Sequence, residues 1–322
     1  MRSESVNVFV NQAIEASLME SVGENEAALY LWRNERAVVI GRNQNAYAEC
    51  RVEALESEGG LLARRLSGGG AVWHDGGNLN FTFLTREGNF DKEKNFGMVI
   101  SALHSLGIDA ALGGRNDLLV DGAKFGGNAY YRRGGAQLHH GTLMIDTSPE
   151  DVARHLTPPK EKFAAKGVAS VSSRVAPLSS YIGGLSYEQV ADALEASFAA
   201  AYPEAHTTRM QPFLLGAEKV LRWTGFFCAD EWRYGKKTEY AAEIFAEVFG
   251  RRVVCRVATE NGTVSKVEID SDHLDADKIS ALEFAVTGQE IPAGLELSED
   301  EKKEVISAAT ELASKIKEEC GV

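Results

Sequence analysis

The chain has 322 residues, 44% hydrophobic and 25% charged, an ordinary globular composition in a length that suits two domains of unequal size. A formal net charge of −13 speaks against duplex nucleic acid or an anionic membrane as partner, since both select basic surfaces. The four cysteines, Cys50, Cys228, Cys255 and Cys320, are far apart, with no CxxC pair and no histidine at metal-ligand spacing; with no signal-peptide pattern and no membrane-length apolar run, reduced thiols in a cytoplasmic protein are expected.

In chain order, residues 11–20 read as a helix, and β-rich runs follow at 28–32, 37–40, 61–65 and 79–84. A helical pattern at 96–106 precedes strands at 118–120 and 141–145, and a further helix is expected at 187–200. Strands are joined both by tight turns, as at Asp121-Gly122, and by helices, which predicts an α+β domain with a mixed β-sheet flanked by helices. After about Tyr240 the pattern changes. Val253, Cys255 and Val257 alternate on one face, Asn261-Gly262 supplies a hairpin turn, and Val267 and Ile269 continue the alternation. The last helix is expected to begin at Ser298, capped by its hydroxyl while Glu301 reaches back, with Val305, Ala309, Leu312 and Ile316 in its apolar stripe. The expected division is a catalytic domain over 1–242 and a small α+β accessory domain over 243–322.

Three clusters carry chemistry. In the first, Ser67-Gly68-Gly69-Gly70 follows a strand ending in Arg64-Arg65 and leads into Ala71-Val72-Trp73-His74-Asp75. Three consecutive glycines let backbone N–H groups approach an anion without Cβ interference, a nest for phosphate or carboxylate oxygens. Strand alternation sends Arg64 and Arg65 to opposite faces, so one can enter the pocket while the other pairs structurally. No Gly-Lys-Ser/Thr follows, so the segment is not a P-loop. In the second cluster, Lys124 stands beside a turn and near Gly126-Gly127, placed to neutralise charge where a carboxylate meets a phosphate; Asn116 and Asp117 offer hard oxygens suited to nucleotide-borne Mg²⁺. The third is His139-His140 at the head of a strand, whose side chains point to opposite faces and are poor joint ligands for one metal.

In order and wording these segments resemble the lipoate–protein ligase family, relatives of biotin ligases and class II aminoacyl-tRNA synthetases. The resemblance rests on Gly41-Arg42-Asn43-Gln44-Asn45, RRLSGGGAVWHDGGNLNFTF from Arg64, GRNDLLVDGAKFGGNAY from Gly114, HHGTLMID from His139 and KGVASVSSRV from Lys166. It implies an acyl-adenylate cradle of Arg65, Gly68, Gly69, Gly70, Ala71, Val72 and Trp73. Lys124 would contact both the acyl carbonyl and the phosphate, with Asn116 and Asp117 near phosphate and Mg²⁺. Ser67, His74 and His140 fall on the lipoate side with Arg65 and Lys124, as does Glu15 of Asn11-Gln12-Ala13-Ile14-Glu15, which resembles the family's Asn-Leu-Ala-x-Glu helix.

The implied activity is ATP-dependent conversion of lipoate to lipoyl-AMP, then transfer to a lysine of lipoyl domains of 2-oxoacid dehydrogenase complexes or of the glycine-cleavage carrier protein. Such chemistry asks for positioning and charge stabilisation, in keeping with motifs that show no Ser-His-Asp set. This chain departs from the family wording at Tyr131, at Gly126-Gly127 and at Ser172, where an arginine, Ser-Gly and an arginine are familiar. The rival readings are an octanoyl or lipoyl transferase without ATP, which would need a cysteine nucleophile that the motifs lack, and a non-catalytic lipoate-binding homologue.

Overall fold

The computed structural model describes residues 1–114, 116–157, 175–206, 215–235, 240–260 and 263–320. The motif residues 166–174 and the Asn261-Gly262 turn lie outside them, as does the Cys320 side chain. Helix α1 (Val8–Met19) opens the chain, capped by Asn7, whose side-chain Oδ1 accepts from the Phe9 and Val10 N–H groups. Strands β1 (Ala27–Trp32) and β2 (Ala37–Ile40), short helices α2 (Ala46–Glu49) and α3 (Val52–Ser57), and strands β3 (Leu61–Arg64), β4 (Val72–His74) and β5 (Asn78–Arg86) follow. After α4 (Lys92–Ser105) come β6 (Ala111–Gly113), β7 (Asp117–Val120), β8 (Ala123–Arg133) and β9 (Ala136–Met144). Helices α5 (Pro149–His155), α6 (Tyr187–Ala201), α7 (Ala217–Cys228) and α8 (Asp230–Arg233) lead to β10 (Ala242–Val248), β11 (Arg251–Glu260) and β12 (Thr263–Asp270), and then to α9 (Ala276–Val286) and α10 (Glu299–Cys320).

The principal sheet runs β1-β5-β9-β8-β7-β6 and is antiparallel throughout. A smaller sheet, β3-β2-β4, holds the parallel β2–β3 pair, so the mixed character sits there rather than in the large sheet. The class is α+β. One face of the large sheet packs Leu31, Phe81 and Phe83 against Phe96 and Leu103 of α4 and Val190 and Leu194 of α6. Helix α1 is wedged between the two sheets. Its Ile14 and Leu18 meet Tyr30 and Leu138, while Val8 and Ala13 meet Val39 and Ala63, with Trp223 and Phe227 of α7 in the same cluster. Every residue of α1 except Val10 is consequently buried, and the polar Gln12 and Glu15 are carried into the interior.

Residues 242–320 have a core of their own, in which Val253, Cys255 and Val257 meet Ile279, Leu282, Val305 and Leu312. The Ser298 hydroxyl accepts from the Glu301 N–H while Glu301 accepts from the Ser298 N–H, the reciprocal cap expected at that helix start. This unit is clamped to the rest of the chain. Arg42 pairs with buried Asp277 at 2.6 Å, Arg132 pairs with Glu301 at 2.7 Å, and the Ser271 N–H donates to the Asn43 carbonyl at 2.9 Å. Among the described residues no helix is long and apolar enough to cross a membrane.

Candidate active site

A cavity of about 220 Å³ opens where α1, the ends of both sheets and the loop 65–71 converge. Glu15 reaches it from α1, Val72 and His74 from β4, and His140 from β9; Arg65, Gly69, Gly70 and Ala71 line it from the loop. Asn116, Asp117 and Lys124 close the side formed by the β7–β8 hairpin. Most of the residues singled out in the sequence therefore share one pocket.

The two arginines before the glycines divide their roles. Arg64 donates to the carbonyls of Arg42, Gln44 and Trp232 and ties the turn before α2, and α8, to β3. Arg65 turns toward the cavity but uses most of its donors on the loop itself. Its Nε donates to Ser67 Oγ and the Gly68 carbonyl, Nη2 to the Gly68 and Gly70 carbonyls, and Nη1 to the Val39 carbonyl. Burial pushes this guanidinium down to about 10, so it stays charged near neutrality. Arg65 is thus the internal frame of the Gly-rich loop. Carbonyl oxygens turned in on its guanidinium leave the opposite side of the loop backbone for an incoming anion.

A hydrogen-bonded chain runs from that frame into the cavity wall. Arg65 Nε donates to Ser67 Oγ, which donates to His140 Nε2 at 2.7 Å; His140 Nδ1 donates to Glu15 Oε1 at 2.9 Å. The same carboxylate oxygen accepts from Thr82 Oγ1, and Thr82 accepts from Trp32 Nε1. Ser67, His140 and Glu15 therefore form the hydroxyl–imidazole–carboxylate series that the motifs did not reveal, because its members sit on a loop, β9 and α1. Ser67 is fully buried and already accepts from Arg65, so its oxygen is a structural link rather than a presented nucleophile.

On the other side of the cavity, Lys124 Nζ lies 2.7 Å from Asp117 Oδ1, with both side chains part-exposed. The Asn116 carbonyl accepts from both the backbone and the side chain of Asn128, which fixes the approach to Asp117. Among the described residues no group of three or more His, Cys, Asp or Glu side chains could enclose a metal ion. His139 faces the opposite way from His140. It donates or accepts at Asn128 Oδ1 among the rings of Phe81, Phe96 and Tyr130, where burial pushes its imidazole down to about 3. As Asn128 Oδ1 can only accept, His139 Nε2 is the donor.

Three expected residues do not line the cavity. Ser67 lies behind it in the chain just described. Gly68 is roofed by residues 273–274: a Cβ there would fall 2.1 Å from the His273 carbonyl oxygen. Trp73 points to the opposite face of β4 from Val72 and His74, as strand alternation requires, and stacks on His155 at 4.4 Å. Any contact it makes to a ligand is through its backbone.

Residues 7–199 match the family model for the lipoyl protein ligase A/B catalytic domain. The chain belongs to the lipoyl protein ligase family. A lipoate–protein ligase A of Psychrobacter cryohalolentis is 34% identical over 289 residues, which span 88% of this chain and 85% of that one. The crystal structure of P. falciparum LipL1 in complex with lipoate superposes with a TM-score of 0.77 at 26% identity and 98% coverage of both chains. The bipartite lipoate protein ligase of Thermoplasma acidophilum, from a structural study of that ligase and its E2 lipoyl domain, matches with a TM-score of 0.61 at 26% identity, over 75% of this chain and 97% of that one.

For an enzyme of the lipoyl protein ligase family, this pocket also holds residues that the motifs did not single out. Trp32 meets His74 edge-on at 6.0 Å and joins the Glu15 chain through Thr82; Gln12 lines the cavity from α1. Gln12 was visible as one of four polar residues in the helix, with Asn11, Glu15 and Ser17, but nothing in its spacing said which way it pointed. Arg251, Asp272 and Leu274 enter from the 242–320 unit, whose placement over the pocket is a tertiary fact without a local signal. Among the described residues no cysteine lines the pocket. Cys50 and Cys255 are buried thiols pushed up to about 12, and Cys228 sits exposed on α7. A transferase of the kind raised as a rival would need a cysteine nucleophile, and none of the described cysteines lies at this pocket.

Proposed function

We propose that this chain activates lipoate with ATP and transfers the lipoyl group to a lysine of a carrier domain. The observation that carries the reading is the facing of two features across one pocket: the Arg65-framed glycine loop on one side and the Lys124–Asp117 pair on the other. In the first step a lipoate carboxylate oxygen bonds to the α-phosphorus of ATP and the bond to pyrophosphate breaks, leaving lipoyl-AMP. The loop N–H groups and Lys124 offset negative charge on the phosphate and carboxylate as they approach. In the second step a lysine ε-amine attacks the acyl carbon, loses a proton, and AMP leaves with the electrons of the C–O bond. Both steps depend on orientation and charge complementarity, which is what these residues supply.

Glu15, His74, His140 and Ser67 would set the walls that receive lipoate, and Gly70, Ala71 and Val72 the backbone beneath the nucleotide. Mg²⁺ would arrive with ATP, held chiefly by phosphate and water, with Asp117 the carboxylate offered to it from the β7–β8 hairpin. Residues 1–242 would carry the catalysis and 243–322 serve as the accessory unit. The carriers would be lipoyl domains of 2-oxoacid dehydrogenase complexes and the glycine-cleavage carrier protein, met in the cytoplasm.

The test combines purified protein, lipoate, MgATP and an apo lipoyl domain, read by mass of the domain. The expected result is a lipoyl mass increment that requires ATP. Modification only from an acylated donor, without ATP, would replace this reading with a transferase.

A further inference from the structure

Helix α1 brings a second polar side chain to the cavity one turn before Glu15. Gln12 is 2% exposed and lines the pocket, and among the described residues neither its Nε2 nor its Oε1 has a hydrogen-bond partner. His74 Nε2, on the same wall, is also without a partner, since His74 uses its Nδ1 to accept from Asn34 Nδ2. A buried amide left unsatisfied at both ends is strongly disfavoured unless something that enters the cavity completes it.

We infer that Gln12 is a specificity-determining residue that makes the acyl pocket favour an acid with sulfur in its chain over a plain alkyl acid of the same length. The inference rests on the ligase reading above. A dithiolane presents sulfur lone pairs that accept, weakly, from an amide N–H, whereas an alkyl tail presents nothing. Both amide atoms are shielded from water as well as unpaired. An alkyl chain laid against them leaves them unsatisfied, while a sulfur-bearing ring supplies an acceptor to the donor side. The carbonyl end is the less demanding of the two when under-satisfied.

The experiment measures binding of lipoate and of octanoate, without ATP, by titration calorimetry on the full chain and on Gln12→Leu. Acid-dependent pyrophosphate release with MgATP is followed in parallel. The wild-type chain should bind lipoate at least tenfold more tightly than octanoate, and Gln12→Leu should bring the two within about threefold, mainly through weaker lipoate binding. Because the change replaces an unpaired amide with an apolar group of similar volume, the thermal midpoint should not fall; Gln12→Met repeats the measurement if Leu disturbs α1. An affinity ratio that is the same in wild type and variant, or an octanoate preference in the wild type, overturns the inference, as does a failure of lipoate to bind. Loss of the ligase reading looks different: acids bind with the stated ratio but no pyrophosphate is released.

Discussion

Lys124 and Asp117 face each other on adjacent strands, 2.7 Å apart, across the Asp121-Gly122 turn in which both residues take positive φ. The β7–β8 register shifts between Leu118 and Leu119, so the hairpin is bulged where it carries this pair. With side chains 34% and 39% exposed, the pair contributes at most about 1 kcal/mol to folding. Its value is positional, on the wall of the pocket.

Replacement of Lys124 by alanine should therefore leave the thermal midpoint within a few degrees of wild type while adenylate formation falls by about two orders of magnitude or more. Lipoate-dependent pyrophosphate release, measured beside a melting curve, separates the two effects. Wild-type-like release would show that Lys124 has been given the wrong role.

Arg65→Lys should behave in the opposite way. A guanidinium bridges Ser67, Gly68, Gly70 and Val39 at once, and an ammonium cannot reproduce that fork. Loss of charged hydrogen bonds in a buried site predicts destabilisation of about 2–4 kcal/mol, together with lost activity, in urea unfolding. A variant as stable as the parent would refute the framing role.

Neighbouring glycines should respond differently to alanine. At Gly68 a Cβ would stand 2.1 Å from the His273 carbonyl oxygen and 2.6 Å from that of Leu274, so the 242–320 unit must shift. At Gly70 a Cβ meets nothing within 4 Å. Hydrogen exchange around 271–275 should rise in Gly68→Ala and stay at the wild-type level in Gly70→Ala, whose effect should be confined to ligand affinity. Equal protection in both variants would argue against the packing described.

Acid should weaken the fold. His74 and His139 are pushed by burial from 6.5 to about 3, and His74 further by nearby Arg65 and His140. Between those values the unfolded chain binds protons that the folded imidazoles do not, so stability rises with pH across the window and is lost as pH falls through it. Glu283 acts in the other sense: burial raises its carboxyl from 4.5 to about 7, so its contribution declines as pH rises through that range. Two imidazoles outweigh one carboxyl. Scanning calorimetry should show the midpoint climbing from about pH 4.5 to 6.5 and levelling above; a falling profile over that span would contradict the burial of both rings.

Much of this arrangement was legible because it is local. The glycines after Arg65, the turn before Lys124 and the alternation at His139-His140 each state their geometry within a few residues, and the pocket collects them. Strand β8 was less visible, for Gly126-Gly127 lowers β propensity at its centre. Yet a Cβ on Gly126 would stand 2.3 Å from the Thr142 carbonyl oxygen, so the glycine is a condition of the strand pairing rather than a break in it. The inward aim of the Arg65 guanidinium could not be read from Arg-Arg, since its partners include a carbonyl on β2. Nor could the roof over Gly68, which comes from more than 200 residues later. The aim of the Trp73 ring was legible too: period-two alternation places it opposite Val72 and His74, which leaves its backbone toward the pocket side.

The Gly69 N–H, one of the donors that make the loop attractive to an anion, donates to the His273 carbonyl oxygen at 3.1 Å. A single proton cannot serve two acceptors equally well. An oxyanion at Gly69 and the seated 242–320 unit would therefore compete, and competition of this kind is reciprocal: whatever factor the seated unit takes from ligand affinity, the ligand takes from the seating. The tightness of the C-terminal unit would then report what the glycine loop holds.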